Sequence, residues 1–259
     1  MIFSWHHSKS TLQTLYSRVI LPFIINNKPS EKFDIGILFA PYSLTTNKDS
    51  WEANSAMIAQ YSQILGSVIL VASAIIGGIL ILAPGSIRLE RPECGWEGWA
   101  FNILNLLFFL VLIPLCGAMM LLDIHIPIFI CIQLRSMPLY IVFESIGMVL
   151  FLGGTILLLW SRLSLRRSFR LAGVKPSQSD YLTLHGPYRK IRHPMYLSAL
   201  LVLSGLTFTL TSILMALMFM VMFWLIRRLI PKEEIQLDQA YPIAYAEYCR
   251  RVPGSLFPS

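Results

Sequence analysis

The sequence predicts an all-α integral membrane bundle of about five transmembrane helices, with a cytosolic helix toward its C-terminus. Three observations carry that prediction. Apolar residues occur in blocks of about 20, the length a helix needs to cross a hydrocarbon core. Charged residues make up 14% of the chain, against about 25% in soluble domains. The basic residues also gather beside the apolar blocks rather than inside them.

The spans follow in order. Residues 64–83, 99–122 and 139–160 each form an apolar run of spanning length. Residues 195–230 are too long for one straight span, and the polar TLTS at 209–212 can turn the chain into a hairpin of two. The apolar piece at 124–134 is short, and fits a re-entrant or interfacial element or an extension of a neighbouring span. The chain thus divides into a weakly patterned N-terminal extension (1–57), three transmembrane helices (58–161) and a C-terminal region (162–259) that contains the hairpin and the polar motifs. The extension has no acid before Glu31, so a targeting segment is conceivable, but a loosely ordered extension is the expected form.

The net charge of +7 would suggest a nucleic-acid partner in a soluble protein. Beside membrane spans it fits anionic headgroups and the positive-inside rule instead. The segment 162–194 holds Arg162, Arg166, Arg167, Arg170, Lys175, Arg189, Lys190 and Arg192 against one acid, Asp180. It is therefore expected to face the cytosol, together with a tail that carries Arg227, Arg228, Lys232, Arg250 and Arg251. The four cysteines, Cys94, Cys116, Cys131 and Cys249, are scattered without a CxxC pair, so neither a metal site nor a redox motif is expected. Glu144 is the one ionisable residue that falls inside a clear span; it lies near the span's end, where pairing or snorkelling is the milder explanation than an ion path.

Two polar clusters flank the hairpin and should meet on one side of the membrane. The first, HGPYRKIRHPMY, occupies 185–196. Gly186-Pro187 is a turn signal. Pro194 biases His193 to an extended conformation and can open the following helix at its first position. Tyr188 and Tyr196 can stack on a flat base or anchor at the interface, and Arg189, Lys190 and Arg192 lie at headgroup depth. The bland reading is an ordinary basic, aromatic interfacial loop. The second cluster, EEIQLDQAYPIAYAEYCRRVPG, occupies 233–254. Pro231 should break or kink the helix just before it. Glu233 and Glu234 are either a solvated face paired with Arg227, Arg228 or Lys232, or the receiver of a cationic ligand group such as an ammonium. The residues after Pro242 read as a helix whose Tyr241, Tyr245 and Tyr248 share one face and pack it down.

These residues also carry a resemblance. RHPMY, introduced by HGPYR, resembles the RHPxY signature of isoprenylcysteine carboxyl methyltransferases and the related small-molecule and phospholipid methyltransferases. EEIQL and YAEYCRRVPGSLFP resemble the same family's glutamate pair and its closing segment, in the same order. The resemblance covers 180–258. It implies a catalytic methyltransferase region over 162–259 and S-adenosylmethionine as cofactor at the cytosolic face. By that resemblance Leu184, His185, Gly186 and Tyr188 line the cofactor pocket. Arg192, His193, Pro194 and Tyr196 hold the cofactor and shape the site, and Glu233 or Glu234 takes its ammonium. Arg192, His193 and Glu234 are the implied catalytic residues. The implied acceptor is first the carboxylate of an isoprenylcysteine-type substrate, reached through a lipid-facing cleft. A phospholipid amine, a small thiol, or a non-enzymatic membrane protein of the same fold are the alternatives. A carboxylate needs no base, whereas an amine or thiol must lose a proton, with His193 and Glu234 as the candidates. Three positions depart from the pattern. Ser198 stands where many relatives have glycine, Tyr241-Pro242 replaces a glycine region, and no arginine lies within a turn of the glutamate pair.

Overall fold

The computed structural model describes residues 48–82, 92–122, 137–176 and 181–257, all in a unit spanning Lys48–Ser259. Most of the N-terminal extension and the short apolar piece at 124–134 lie outside the described residues. Every regular element among those described is helical. Helix α1 is Lys48–Leu82. Helix α2, Trp96–Leu107, runs on through a π-helical turn at Phe108–Leu112 into α3, Ile113–Leu122. Helix α4 is Met137–Leu165. Helices α5, Pro194–Leu210, and α6, Ile213–Ala240, form the hairpin, and α7 is Pro242–Arg251.

Among the described residues, four stretches are long and apolar enough to cross a membrane: Ala59–Ile79, Trp96–Leu122, Leu139–Leu165 and Ile213–Ala240. The remaining expected span, α5, has 17 residues, about 25 Å at 1.5 Å per residue. It is buried along most of its length, with Val202, Leu203 and Leu206 at 0% exposure, so it packs between α4 and α6 rather than facing lipid. The α4–α5 contact is made by glycines. A Cβ on Gly147 would stand 2.5 Å from Thr209 N, and one on Gly205 would stand 2.5 Å from Phe151 N. The two backbones therefore touch, the small-residue mode by which helices associate where no water drives them together. Ser198, fully buried on α5, turns its hydroxyl back to Met195 O at 2.7 Å. Large apolar side chains such as Val149, Ile156, Leu217 and Met220 lie exposed on the outer faces, as a lipid-facing surface requires.

The hairpin turn falls where polar TLTS suggested, at Thr211 in the left-handed region (φ 46°) and Ser212 in the extended region. Pro231 does not end the helix. Although it removes an amide donor, α6 continues to Ala240, because its extension is held on both sides. Lys232 Nζ pairs with Glu97 Oε2 at 3.0 Å, and Glu234 pairs with Arg192 at 2.9 Å. Lys232 is thus engaged with α2 rather than with its neighbouring glutamates. Glu144 is fully buried and does not snorkel; its Oε1 accepts from Ser62 Oγ at 3.1 Å across the α1–α4 contact.

Candidate active site

The starts of α2 and α5 and the ends of α4 and α6 gather at one end of the bundle, and two straps join them. The first follows α4. Asn102 holds Ala172 through both its amide atoms, Nδ2 to the carbonyl at 3.0 Å and Oδ1 from the amide at 3.1 Å. Gly173, at φ 74°, donates its N–H to Glu233 Oε1 at 2.7 Å, and a Cβ there would press to 2.9 Å from Cys94 Cβ. Farther along, Gly186 (φ 64°) begins a 3-10 turn, Gly186–Arg189. A side chain on Gly186 would overlap Ser164 on α4, so glycine lets the predicted turn seat flush against the bundle. Tyr188, within that turn, accepts at its carbonyl from Tyr248 OH at 2.7 Å, which ties α7 to the site.

The second strap is the chain after α7. Arg192 N donates to Gly254 O at 3.1 Å and His193 N to Ser255 O at 3.0 Å. The Arg192 guanidinium sends Nη1 to Val252 O (2.9 Å) and Pro253 O (3.1 Å), and Nε and Nη2 to Glu234 Oε1 at 3.1 and 2.9 Å. Ser255 Oγ reaches the same carboxylate oxygen at 3.1 Å, and His193 Nε2 lies 3.3 Å from it. Glu234 is thus an internal clamp. Burial alone would lower the Arg192 pKa, but the hydrogen bond and charge of Glu234 outweigh it and the guanidinium is held charged.

Glu233 differs. Its Oε1 accepts from Tyr196 OH at 2.6 Å and from Gly173 N. Its Oε2 lies 3.7 Å from His193 Nδ1, beyond hydrogen-bond reach. Tyr196 in turn stacks on His193 (5.7 Å, 20°) and takes Phe101 edge-on (5.2 Å, 90°). Burial raises the pKa values of Tyr188, Tyr245 and Tyr248, so these phenols stay neutral.

These groups border a cavity of about 250 Å³, near the lower end of small-molecule pockets. Glu233, His193 and Tyr196 line it together. Tyr181, Thr183, Tyr188, Gln236, Tyr241 and Tyr248 give it polar and aromatic lining, and Arg170 and Arg192 also border it. Phe101, Leu106, Phe109, Leu158 and Ala199 give it apolar lining, with Asn105 among them. Thr183 Oγ1 is buried and finds no hydrogen-bond partner among the described residues.

Of the residues the sequence pointed to, Tyr188, Arg192, His193, Tyr196 and Glu233 line this cavity, while Leu184, His185, Gly186, Pro194 and Glu234 do not. Leu184 and His185 are exposed, Gly186 faces α4, Pro194 opens α5, and Glu234 sits behind Arg192. Sequence reasoning missed Asn102, Asn105, Thr183, Gln236 and Ser255. Two of them had a signal: Asn102 and Asn105 are amides one turn apart in an otherwise apolar span.

No curated protein matches the chain closely enough to count. Residues 143–243 match the phospholipid methyltransferase family, and they contain most of α4, the Arg192–Tyr196 motif and both glutamates. That segment is thus similar to the phospholipid methyltransferases, a family of the integral membrane methyltransferase superfamily that also includes the isoprenylcysteine carboxyl methyltransferase-like proteins.

Proposed function

We propose that the protein transfers a methyl group from S-adenosylmethionine to the amine of a membrane phospholipid. The observation that carries this reading is a single cavity lined both by polar and aromatic residues and by apolar residues of the spans, with Glu233, His193 and Tyr196 among them. When bound, S-adenosylmethionine supplies an electrophilic methyl on a sulfonium. The donor set suits it. Glu233 Oε2 is open to an ammonium. Tyr181, Tyr188, Tyr241 and Tyr248 offer flat faces for a base, and Thr183 Oγ1 and the Gln236 amide offer hydrogen bonds.

In this reading Tyr196 and Gly173 pin one oxygen of Glu233, which leaves the other to hold the ligand's ammonium. Arg192 and His193 form part of the cavity wall, and Glu234 with Ser255 keeps them in place. Glu234 is then a positioning residue, not one that touches the ligand. Gly186 and Pro194 shape the turn and the helix start behind this wall, and Leu184 and His185 edge the turn on its exposed side. The protein's contribution is alignment of acceptor and methyl group, the largest effect available to a displacement of this kind.

The motif resemblance alone favours an isoprenylcysteine carboxylate. Two observations favour the amine instead. The matched family is described by its action on phospholipids, and the two arginines that line the cavity, Arg170 and Arg192, are both engaged within the protein. A carboxylate placed there would lose its hydration with no uncommitted cation to replace it. The test is methyl transfer from labelled S-adenosylmethionine in lipid nanodiscs, with phosphatidylethanolamine and N-acetyl-S-farnesylcysteine offered in parallel. Label in the lipid is the expected result; label in the prenylcysteine ester would replace this acceptor with the other.

A further inference from the structure

The lining that α2 and the following π-helical turn give the cavity is apolar except for two amides of α2, and they differ. Asn102 is saturated by Ala172, at 3.0 and 3.1 Å. Asn105 lies one turn deeper on the same helix face. It lines the same cavity, yet its side chain has no hydrogen-bond partner among the described residues. Asn105 is half-buried, so its amide is open to what enters the cavity, and the apolar residues around it strengthen a hydrogen bond that a ligand makes there. Directly after Asn105 the helix widens into the π-helical turn Phe108–Leu112. The Phe108 N–H is shared between Leu104 O and Asn105 O, and Phe109 from that turn lines the cavity beside Asn105. Turns of this kind recur at functional sites.

We propose that Asn105 is the acceptor-binding residue: its Oδ1 accepts an N–H of a neutral lipid amine and aims the nitrogen lone pair across the cavity at the methyl group. This inference rests on the phospholipid-amine reading above and deepens it. Apolar surroundings favour the uncharged form of an amine, so the headgroup ammonium gives its proton to water as it enters, and no internal base is required. The nitrogen lone pair then forms the N–C bond as the C–S bond breaks, its electron pair going to sulfur, and the positive charge passes from sulfur to nitrogen. The methylated ammonium returns to the headgroup layer, where it can lose a proton to water before another round.

One consequence belongs to Asn105 alone. Primary and secondary amines carry an N–H for its carbonyl to accept; a tertiary amine carries none. The first two methylations are therefore anchored and a third is not. The anchor is worth about three- to tenfold, the range of one hydrogen bond.

The test compares wild type with Asn105→Ala and Asn105→Leu in nanodiscs that contain phosphatidylethanolamine or its mono- or dimethyl derivative, each labelled on an acyl chain. Equilibrium binding of each lipid to the donor-free protein is read by fluorescence, methyl transfer by mass spectrometry, and S-adenosylmethionine binding by calorimetry. Wild type should bind and methylate the first two lipids about three- to tenfold better than the dimethyl lipid. Both variants should lose that preference, unchanged on the dimethyl lipid and in donor affinity. Equal handling of all three lipids by wild type, unchanged preference in the variants, or equal loss on all three lipids would each overturn the role of Asn105. Donor binding in wild type with no transfer to any of these lipids would overturn the amine acceptor and the inference with it. Absence of donor binding by folded wild type would instead strike the function proposed above.

Discussion

The Arg192 guanidinium gives four hydrogen bonds, two to one oxygen of Glu234 and two to the carbonyls of Val252 and Pro253. A lysine there could keep the charge but not the planar fork. We expect Arg192→Lys to reduce S-adenosylmethionine affinity at least about tenfold and Arg192→Ala to cost a further 2–3 kcal/mol or so of stability, because it leaves Glu234 with an unpaired charge. Calorimetry and thermal unfolding in detergent check the two effects separately. Cys94 gives a second prediction at this scale. Burial, followed by the charge of Glu233, pushes its thiol from 9.0 up to about 11. The folded protein should therefore react with a maleimide at neutral pH far more slowly than the same chain unfolded. The sign for stability follows: the folded state holds this proton more tightly, so its contribution is complete below pH 9 and is lost as the pH rises toward 11. A denaturation series across that interval reads it, with Cys94→Ala as the control.

At the scale of elements, the α4–α5 contact depends on the absence of side chains at Gly147, Gly154 and Gly205, where a Cβ would stand 2.5–2.7 Å or less from the facing backbone. Gly205→Val should prevent these helices from closing and give a strongly destabilised or unfolded protein, beyond the 1–3 kcal/mol or so typical of overpacking. Gly153→Ala, with nothing within 4 Å, should unfold like wild type. Thermal melts of the two variants decide this. Much of the element plan was legible because a hydrophobic block of spanning length is a strong signal. The starts of α2 and α4, the end of α3, the turn at Thr211-Ser212 and the tyrosine face of α7 all lie close to where apolar runs, polar interruptions and helical spacing put them. Two features were not legible. Pro231 reads as a break, yet ion pairs from Lys232 and Glu234 to partners far along the chain carry α6 past it. The short length of α5 is tolerated because α4 and α6 enclose it, a fact of packing that no local pattern encodes.

At the scale of the molecule, the site is assembled from pieces distant in sequence. The motif at 185–196 and the glutamate pair could be recognised because each is compact along the chain. The division of labour between the glutamates could not. Glu233 and Glu234 are adjacent in sequence, and only the fold turns one toward the cavity and the other toward Arg192 and Ser255. Asn102, Asn105 and Gly173 enter from a helix and a strap whose meeting with α6 is likewise tertiary. The closing strap makes a further prediction. Truncation after Arg251 removes the carbonyls of Val252, Pro253, Gly254 and Ser255 that bind Arg192 and His193. Far-UV circular dichroism should remain nearly that of the full chain, while S-adenosylmethionine binding is lost.

The central claim is that the cavity at Glu233 receives the methyl donor. Its most direct test is calorimetric titration of S-adenosylmethionine into the detergent-purified protein, wild type beside Glu233→Gln, with each sample's melt recorded. The account predicts saturable binding by wild type and an affinity about 10- to 100-fold weaker in the variant, the effect of removing one charge-assisted hydrogen bond from its ammonium. Equal binding by both, or none by a cooperatively melting wild type, would contradict it.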